Sequence, residues 1–476
     1  MYEENGFIYE DDTKKILTGC IPTFFKESVI ICIPEGIEKI ANKALSGLYN
    51  DAIYFPSSIY HFGEKILNDS VITDVYFAYG IKEINEYTFA SARITNVHFP
   101  KSISKIDDHA FSASFLETVN NFSNITYIGN SAFENTLLEK VNIGHSTLKV
   151  EDYAFSNCKL LKEIYFSASS NIIPSGLCCR CSALEKINIG DNIEKIGKAA
   201  FANTAIKQLY LSPNVKEIGE FAFFEALSIQ KLYIPKTINK IGNSAFANNK
   251  SIEEIEFFCN IKKPENDIIF YPGIFEHTKI SEIVFPEKSY FVGPVLSGMH
   301  DLETVVFEGN VEILPANFFE FSKQVKNVYF ENGVSRIGDH AFANTSIRKI
   351  FLKNIEKIDE GAFENCNSLK DMFIIPKTNS VEIAYRAFPI NNNIKTITMP
   401  FSPDLQTIYG HEEPGTLTNL VITKEIKDKK IKDKFSKNIN VFQTDPFWIK
   451  ELIAEGLIDN KLLQELNSVK YTNDFT

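Results

Sequence analysis

The chain has 476 residues, 44% of them hydrophobic and 23% charged, a globular composition that excludes wholesale disorder. Acidic residues outnumber basic ones by 61 to 49, for a net charge of −12, so the surface as a whole repels phosphate and nucleic acid is not an expected partner. Phenylalanine is abundant, 40 residues against a single tryptophan. Such a skew points to one structural slot filled by phenylalanine many times over.

The first 24 residues predict a β-hairpin cap. Phe7-Ile8-Tyr9 and Ile16-Leu17 are short apolar segments separated by charged residues, the pattern of two strands and a turn. The opening Met1-Tyr2-Glu3-Glu4 is acidic where a secretory signal is basic, and no apolar h-region follows. Leu17-Thr18-Gly19-Cys20 matches the box that precedes a lipidated bacterial cysteine, but Glu10 to Lys15 upstream is almost wholly charged. We therefore expect a cytoplasmic protein, with the cell surface as the alternative. Nowhere does an apolar run approach the ~18 residues of a spanning helix, so no membrane insertion is expected.

From residue 25 to 422 the chain repeats itself. Ile81-Lys-Glu-Ile84-Asn-Glu-Tyr-Thr-Phe89 returns as Ile103…Phe111, Ile125…Phe133, Ile193…Phe201, Val215…Phe223, Ile238…Phe246, Val334…Phe342 and Ile355…Phe363. With degenerate copies, the final slot falls at 45, 67, 89, 111, 133, 155, 178, 201, 223, 246, 275, 296, 319, 342, 363 and 388. Most intervals are 22 or 23 residues. Between slots lies a second constant element, as in Leu184-Glu-Lys-Ile187-Asn-Ile189 and Ile229-Gln-Lys-Leu232-Tyr-Ile234. Its apolar–x–apolar alternation is that of a short strand. Each repeat is read as one strand, a turn, and a short or single helical turn ending in Ala-Phe. A lone repeat cannot bury its apolar face, so the copies stack.

The pattern L-x-x-I-x-I-P-x-x-V-x-x-I-G-x-x-A-F-x-N-C resembles the leucine-rich repeats of the bacterial BspA-like, or Treponema-type, class. Ala154-Phe155-Ser156-Asn157-Cys158 with Leu161-Lys-Glu-Ile164-Tyr-Phe166 follows it nearly in full, as does Ala362-Phe363-Glu364-Asn365-Cys366 with Leu369. The resemblance covers roughly residues 25 to 410. It implies an α/β repeat solenoid, an arc of about 16 repeats with a parallel β-sheet on its concave face. That family includes surface adhesins that bind host matrix proteins and carry export signals.

No motif within the repeats carries chemistry. Cys178-Cys179-Arg180-Cys181 holds a C-x-x-C spacing, but zinc needs a second pair and thioredoxin-like redox a βαβ context. Cys181 shares its repeat position with Cys158, Cys366, Thr136, Thr204, Thr278 and Thr345, which reads as a row of small buried residues. The eight cysteines form no even framework and the eight histidines no H-x-x-x-H. Neither a P-loop nor G-x-S-x-G appears. No enzyme activity, cofactor or metal is expected. The 29-residue interval before position 275 contains an insertion at 259–267, read as a rim loop.

Residues 423–476 predict a helical cap. A lysine-rich stretch at 424–437 places Ile426, Ile431 and Phe435 on one helix face. Asp445-Pro446 supplies an N-cap and first-turn proline, and Asp459 caps a last helix with Leu462, Leu463 and Leu466.

Within each strand, the residue between the paired apolar positions points away from the core. That column reads Cys32, Tyr54, Tyr76, His98, Asn120, Asn142, Tyr165, Asn188, Tyr210, Tyr233, Glu256, Val284, Val306, Tyr329, Phe351, Phe373 and Thr398. Six of the 17 are tyrosine, far above the share that 19 tyrosines in the chain would give. Aromatics favour strands through cross-strand packing, but they also anchor protein interfaces. The expectation is a monomeric, non-enzymatic module that binds a protein partner through Tyr54, Tyr76, His98, Tyr165, Tyr210, Tyr233, Tyr329, Phe351 and Phe373. A surface adhesin and a carbohydrate-binding module are the alternatives.

Overall fold

The computed structural model describes residues 1–120, 122–257, 267–378, 381–384 and 386–388, and the backbone of three further strands at 396–399, 419–422 and 440–443. The chain winds as a parallel β-solenoid of about 16 turns. Most coils contribute to two parallel ladders and to a tight corner between them.

The first ladder holds the longer strands, among them Tyr49–Phe55, Val71–Phe77, Arg93–His98, Lys140–Ile143, Glu163–Phe166 and Lys231–Ile234. Register is set residue on residue: Tyr54 lies beside Tyr76, and Tyr76 beside His98. One-residue slips would turn the buried Ile53 and Val75 out to water, so the apolar alternation fixes the pairing. The second ladder was not expected as strand. Its members are mostly two residues long, such as Lys105–Ile106, Tyr127–Ile128, Lys195–Ile196 and Glu217–Ile218. Each places a charged or polar residue outward and an apolar residue inward, and they pair in parallel from coil to coil. A three-residue spacing of isoleucines reads as a turn in a single copy; stacking turns it into a ladder.

The Ala-Phe corner corrects the α/β reading. Among the described residues there is no α-helix, and one 3-10 turn at Pro22–Phe25. In the coil around Phe111, the amides of Ala110, Ser112 and Ser114 donate locally to Asp107, His109 and Phe111. The amides of His109, Phe111 and Ala113 donate instead to Asn130, Ala132 and Glu134 of the next coil. Alternate amides thus serve two directions, which an α-helix cannot do. The geometry needs left-handed backbone two residues either side of the phenylalanine, seen at His109 (φ 55°) and Ala113 (φ 57°).

The core is the slot row. Phe111, Phe133 and Phe155 are fully buried and stack with centroids 5.2 Å apart and planes within 1° of parallel. Phe223 and Phe246 repeat this at 5.4 Å. Identical rings in identical coils can only sit above one another, offset as aromatic quadrupoles require. Glycine in Ile-Gly is dictated by coil spacing: a Cβ on Gly129 would lie 2.6 Å from the backbone of Asp107 and Asp108.

At the start, Phe7–Tyr9 pairs antiparallel with Ile16–Cys20, which pairs in parallel with Lys39–Ile40. A further strand, Tyr2–Glu4, extends the hairpin to a meander. At the other end, Asn440–Gln443 pairs in parallel with Asn419–Ile422, so the ladder continues past residue 422. The helices expected at 424–437, 445–453 and 459–466 lie outside the described residues, as does the insertion at 259–267 except Asp267.

Candidate recognition surface

The outward face of the longer strands is where most of the sequence-selected aromatics converge. Tyr54, Tyr76, Tyr233 and Tyr329 project into solvent between buried apolar neighbours, because alternate strand residues face opposite ways. Tyr76 and His98 stack in parallel with centroids 4.3 Å apart, and His98 Nε2 lies 2.8 Å from Asp74 Oδ1. Tyr165 and Phe351 are half-buried.

Two of the nine depart from expectation. Phe373 is only 6% exposed: its strand is paired on both sides, the Phe351 ring sits 6.1 Å away and Lys349 Nζ lies 5.4 Å over it. It packs and presents no free surface. Tyr210 is the most exposed of the set at 67%, but its segment forms no regular strand. Its ladder pairing is reduced to the isolated bridges Lys186 to Gln208 and Ile206 to Leu227, so Tyr210 and Tyr233 do not stand on adjacent strands.

Sequence reasoning missed residues on the first coils. Tyr49 (71% exposed), Val71 and Phe115 point outward there, with Tyr49 beside Val71 and Val71 beside Arg93. The strands Tyr49–Phe55 and Val71–Phe77 run to seven residues, longer than the repeat's alternating stretch, and so begin upstream of it. Strict alternation backward from Tyr54 would turn Ala52 and Asn50 outward, but both are buried; the in-out pattern breaks between Ala52 and Ile53, so no periodic signal in the sequence pointed to Tyr49.

Charge is unevenly distributed along this face. From Glu139 onward, acids and bases pair across coils: Lys162 with Glu139 at 3.1 Å, Lys140 with Glu163 at 3.1 Å, Lys207 with Glu185 at 2.6 Å, and Lys231 with Glu256 at 3.0 Å. Lys140 and Lys186 also lie over the two sides of the Tyr165 ring, at 5.2 and 5.5 Å. The hydrogen bond from Lys140 holds the Glu163 carboxyl below its ordinary range.

Grooves open on both strand sides of the described surface. One, of about 590 Å³, lies where Thr118–Val119 and Lys140–Ile143 fail to pair, between Asn120 and Asn142. Another, of about 510 Å³, follows the short-strand side past Gly197, Gly219 and Gly242. The cysteine row is structural. The thiols of Cys158, Cys181 and Cys366 donate to the carbonyls of Phe133, Phe155 and Phe342 at 3.0 to 3.1 Å, and burial raises the pKa of each, that of Cys366 to about 11. Among the described residues, no His, Cys, Asp and Glu gather in threes as metal ligands, and no helix is long and apolar enough to cross a membrane.

Two parallel ladders, a phenylalanine-stacked corner and a 22- to 23-residue period define a leucine-rich-repeat solenoid. The family model for the BspA type leucine rich repeat region matches residues 26–137, 82–204, 171–296 and 295–411, and the chain belongs to that family. Among solved structures, a leucine-rich repeat protein from Bacteroides ovatus is similar over 94% of this chain and 99% of its own, at 17% identity and a TM-score of 0.56. The pneumococcal vaccine antigen PcpA is 15% identical over 93% of this chain and 98% of its own, TM-score 0.36. A leucine-rich cell surface protein from Faecalibacterium prausnitzii is 15% identical over 87% and 98%, TM-score 0.33. No curated protein matches the chain. The likeness to these structures is one of fold; repeat solenoids of this family are scaffolds.

Proposed function

We propose that this protein is a non-enzymatic scaffold that binds a protein partner through the outward, concave face of its longer strands. The observation that carries the reading is the solvent-facing tyrosine at one repeat position in coil after coil, at Tyr54, Tyr76, Tyr233 and Tyr329. Packing of the sheet does not require those rings to be exposed, and exposed aromatics with polar neighbours are what interfaces concentrate. The protein acts inside the cell. Lipidation at Cys20 would cut within the capping strand Ile16–Cys20 and remove the fully buried Leu17.

The test is capture of partner from the native host by the immobilised full chain. Tyr54 and Tyr76 replaced together by Ser should abolish capture, with each anchor contributing about 2 kcal/mol or more. Tyr210 and Tyr233 replaced together test the centre of the face. Lys195 and Glu217, an ion pair at 3.2 Å on the short-strand side, are the contrast: since both line the 510 Å³ groove, loss of capture there alone would move the site to that groove. Antibody labelling of intact cells separates this reading from the surface adhesin.

A further inference from the structure

The aromatic face is not uniform, and its first coils differ from the rest in charge. The strands Ile30–Cys32, Tyr49–Phe55, Val71–Phe77, Arg93–His98 and Thr118–Val119 contain no lysine. Along the outward face of these strands the carboxylates are Asp51, Asp74 and Glu117, against one guanidinium, Arg93. Asp74 is engaged by His98, and Arg93 lies 5.9 Å over the Phe115 ring. The side chains of Asp51 and Glu117 have no hydrogen bond or ion pair among the described residues. Elsewhere on the face, several of the outward acids are neutralised by a lysine of a neighbouring coil. The same first coils hold a run of exposed apolar side chains: Val29, Ile30, Tyr49, Tyr54, Val71 and Tyr76.

We infer that the outward face of these first coils is the docking site for a basic, arginine-containing segment of the protein partner. The inference rests on the scaffold reading above and names the partner's chemistry. A guanidinium stacks on tyrosine faces and pairs with carboxylates at the same time, which a flat apolar or an acidic segment cannot do. Coils stand about 4.8 Å apart, so the Cys32 to Asn120 row spans roughly 19 Å, the reach of about six extended residues. Asp51 stands in the same strand as Tyr49 and Tyr54, with nothing to neutralise it. Tyr233 offers no equivalent site, because Lys231 already lies 5.2 Å over its ring and pairs with Glu256.

Fluorescence anisotropy of a labelled (Gly-Arg)5 peptide with the full chain tests this, with (Gly-Glu)5 as the comparison. The arginine peptide should bind and the glutamate peptide should not. D51N/E117Q and Y54S/Y76S should each weaken binding by roughly tenfold, while Y290S, at an exposed tyrosine of the short-strand ladder, stays within about twofold of the parent. All these side chains point outward, so thermal melts should coincide; a variant that melts early is replaced by D51N or Y54F alone. Equal binding of the two peptides, or binding indifferent to D51N/E117Q, overturns the inference. So does binding of a neutral oligosaccharide that depends on Tyr54 and Tyr76 but not on Asp51 and Glu117. If partner capture still depends on Tyr54 and Tyr76 while the arginine peptide fails to bind, the partner chemistry is wrong and the scaffold reading stands. Capture indifferent to every face variant removes both.

Discussion

Phe201 shows what one residue carries in this architecture. Its ring is fully buried and stacks on Phe223 at 5.6 Å, so Phe201→Ala should cost about 3–5 kcal/mol through lost burial and an unfilled cavity. A chemical-denaturation midpoint unchanged within error would mean that the slot row is not the core. The buried thiols make a second, pH-dependent prediction. Cys366 has its pKa raised from 9.0 to about 11 by burial, so the unfolded chain releases this proton first as pH rises. Stability should therefore fall from about pH 9 and level off near 11. Cys366→Ser should remove that part of the alkaline loss, since serine already fills the same slot at Ser70 and Ser322. Melting temperatures of parent and variant between pH 8 and 11 check it; identical slopes would rule out a thiol contribution. Legibility at this scale was good: the slot phenylalanines and the row of small residues around Cys181 were read from spacing alone.

At the scale of the element, the corner is held by contacts between coils. Gly361 has φ +61°, and a Cβ there would come within 2.6 Å of the His340 ring in the preceding coil. Gly361→Ala should thus cost more in the parent than in a His340→Ala background, where only the backbone strain of about 1 kcal/mol remains. A double-mutant cycle reads the difference, and additivity within error would show that the ring does not enforce the glycine. Elements were the least legible part of the sequence. The two-residue strands escaped notice because Lys105–Ile106 offers no periodicity of its own. The Ala-Phe corner resembled a helical turn because its local hydrogen bonds are i to i+3; only the donation of every second amide to the next coil decides against a helix.

Across the whole molecule, stability is a sum over neighbouring coils. The first coil is protected by Ile16–Cys20, which hands the short ladder from an antiparallel meander to the parallel stack. Deleting residues 1–24 should leave Lys39–Ile40 as an open edge and drive association, visible as a shift to higher mass in light scattering. A monodisperse truncated chain would show that the meander is not a cap. The sequence by itself determined the period, the stacked phenylalanine core, the family and the outward tyrosine column, because each repeats with the coil and repetition is visible in one dimension. What the tertiary structure decided is everything that depends on the neighbouring coil: the second ladder, the left-handed corner in place of a helix, the burial of Phe373, and the break that leaves Tyr210 outside a strand. It also decided which carboxylates are neutralised. Glu139 and Glu117 look alike in sequence, but only Glu139 finds a lysine in the coil above it, Lys162, since charge pairing here is a matter of proximity across 23 residues of chain.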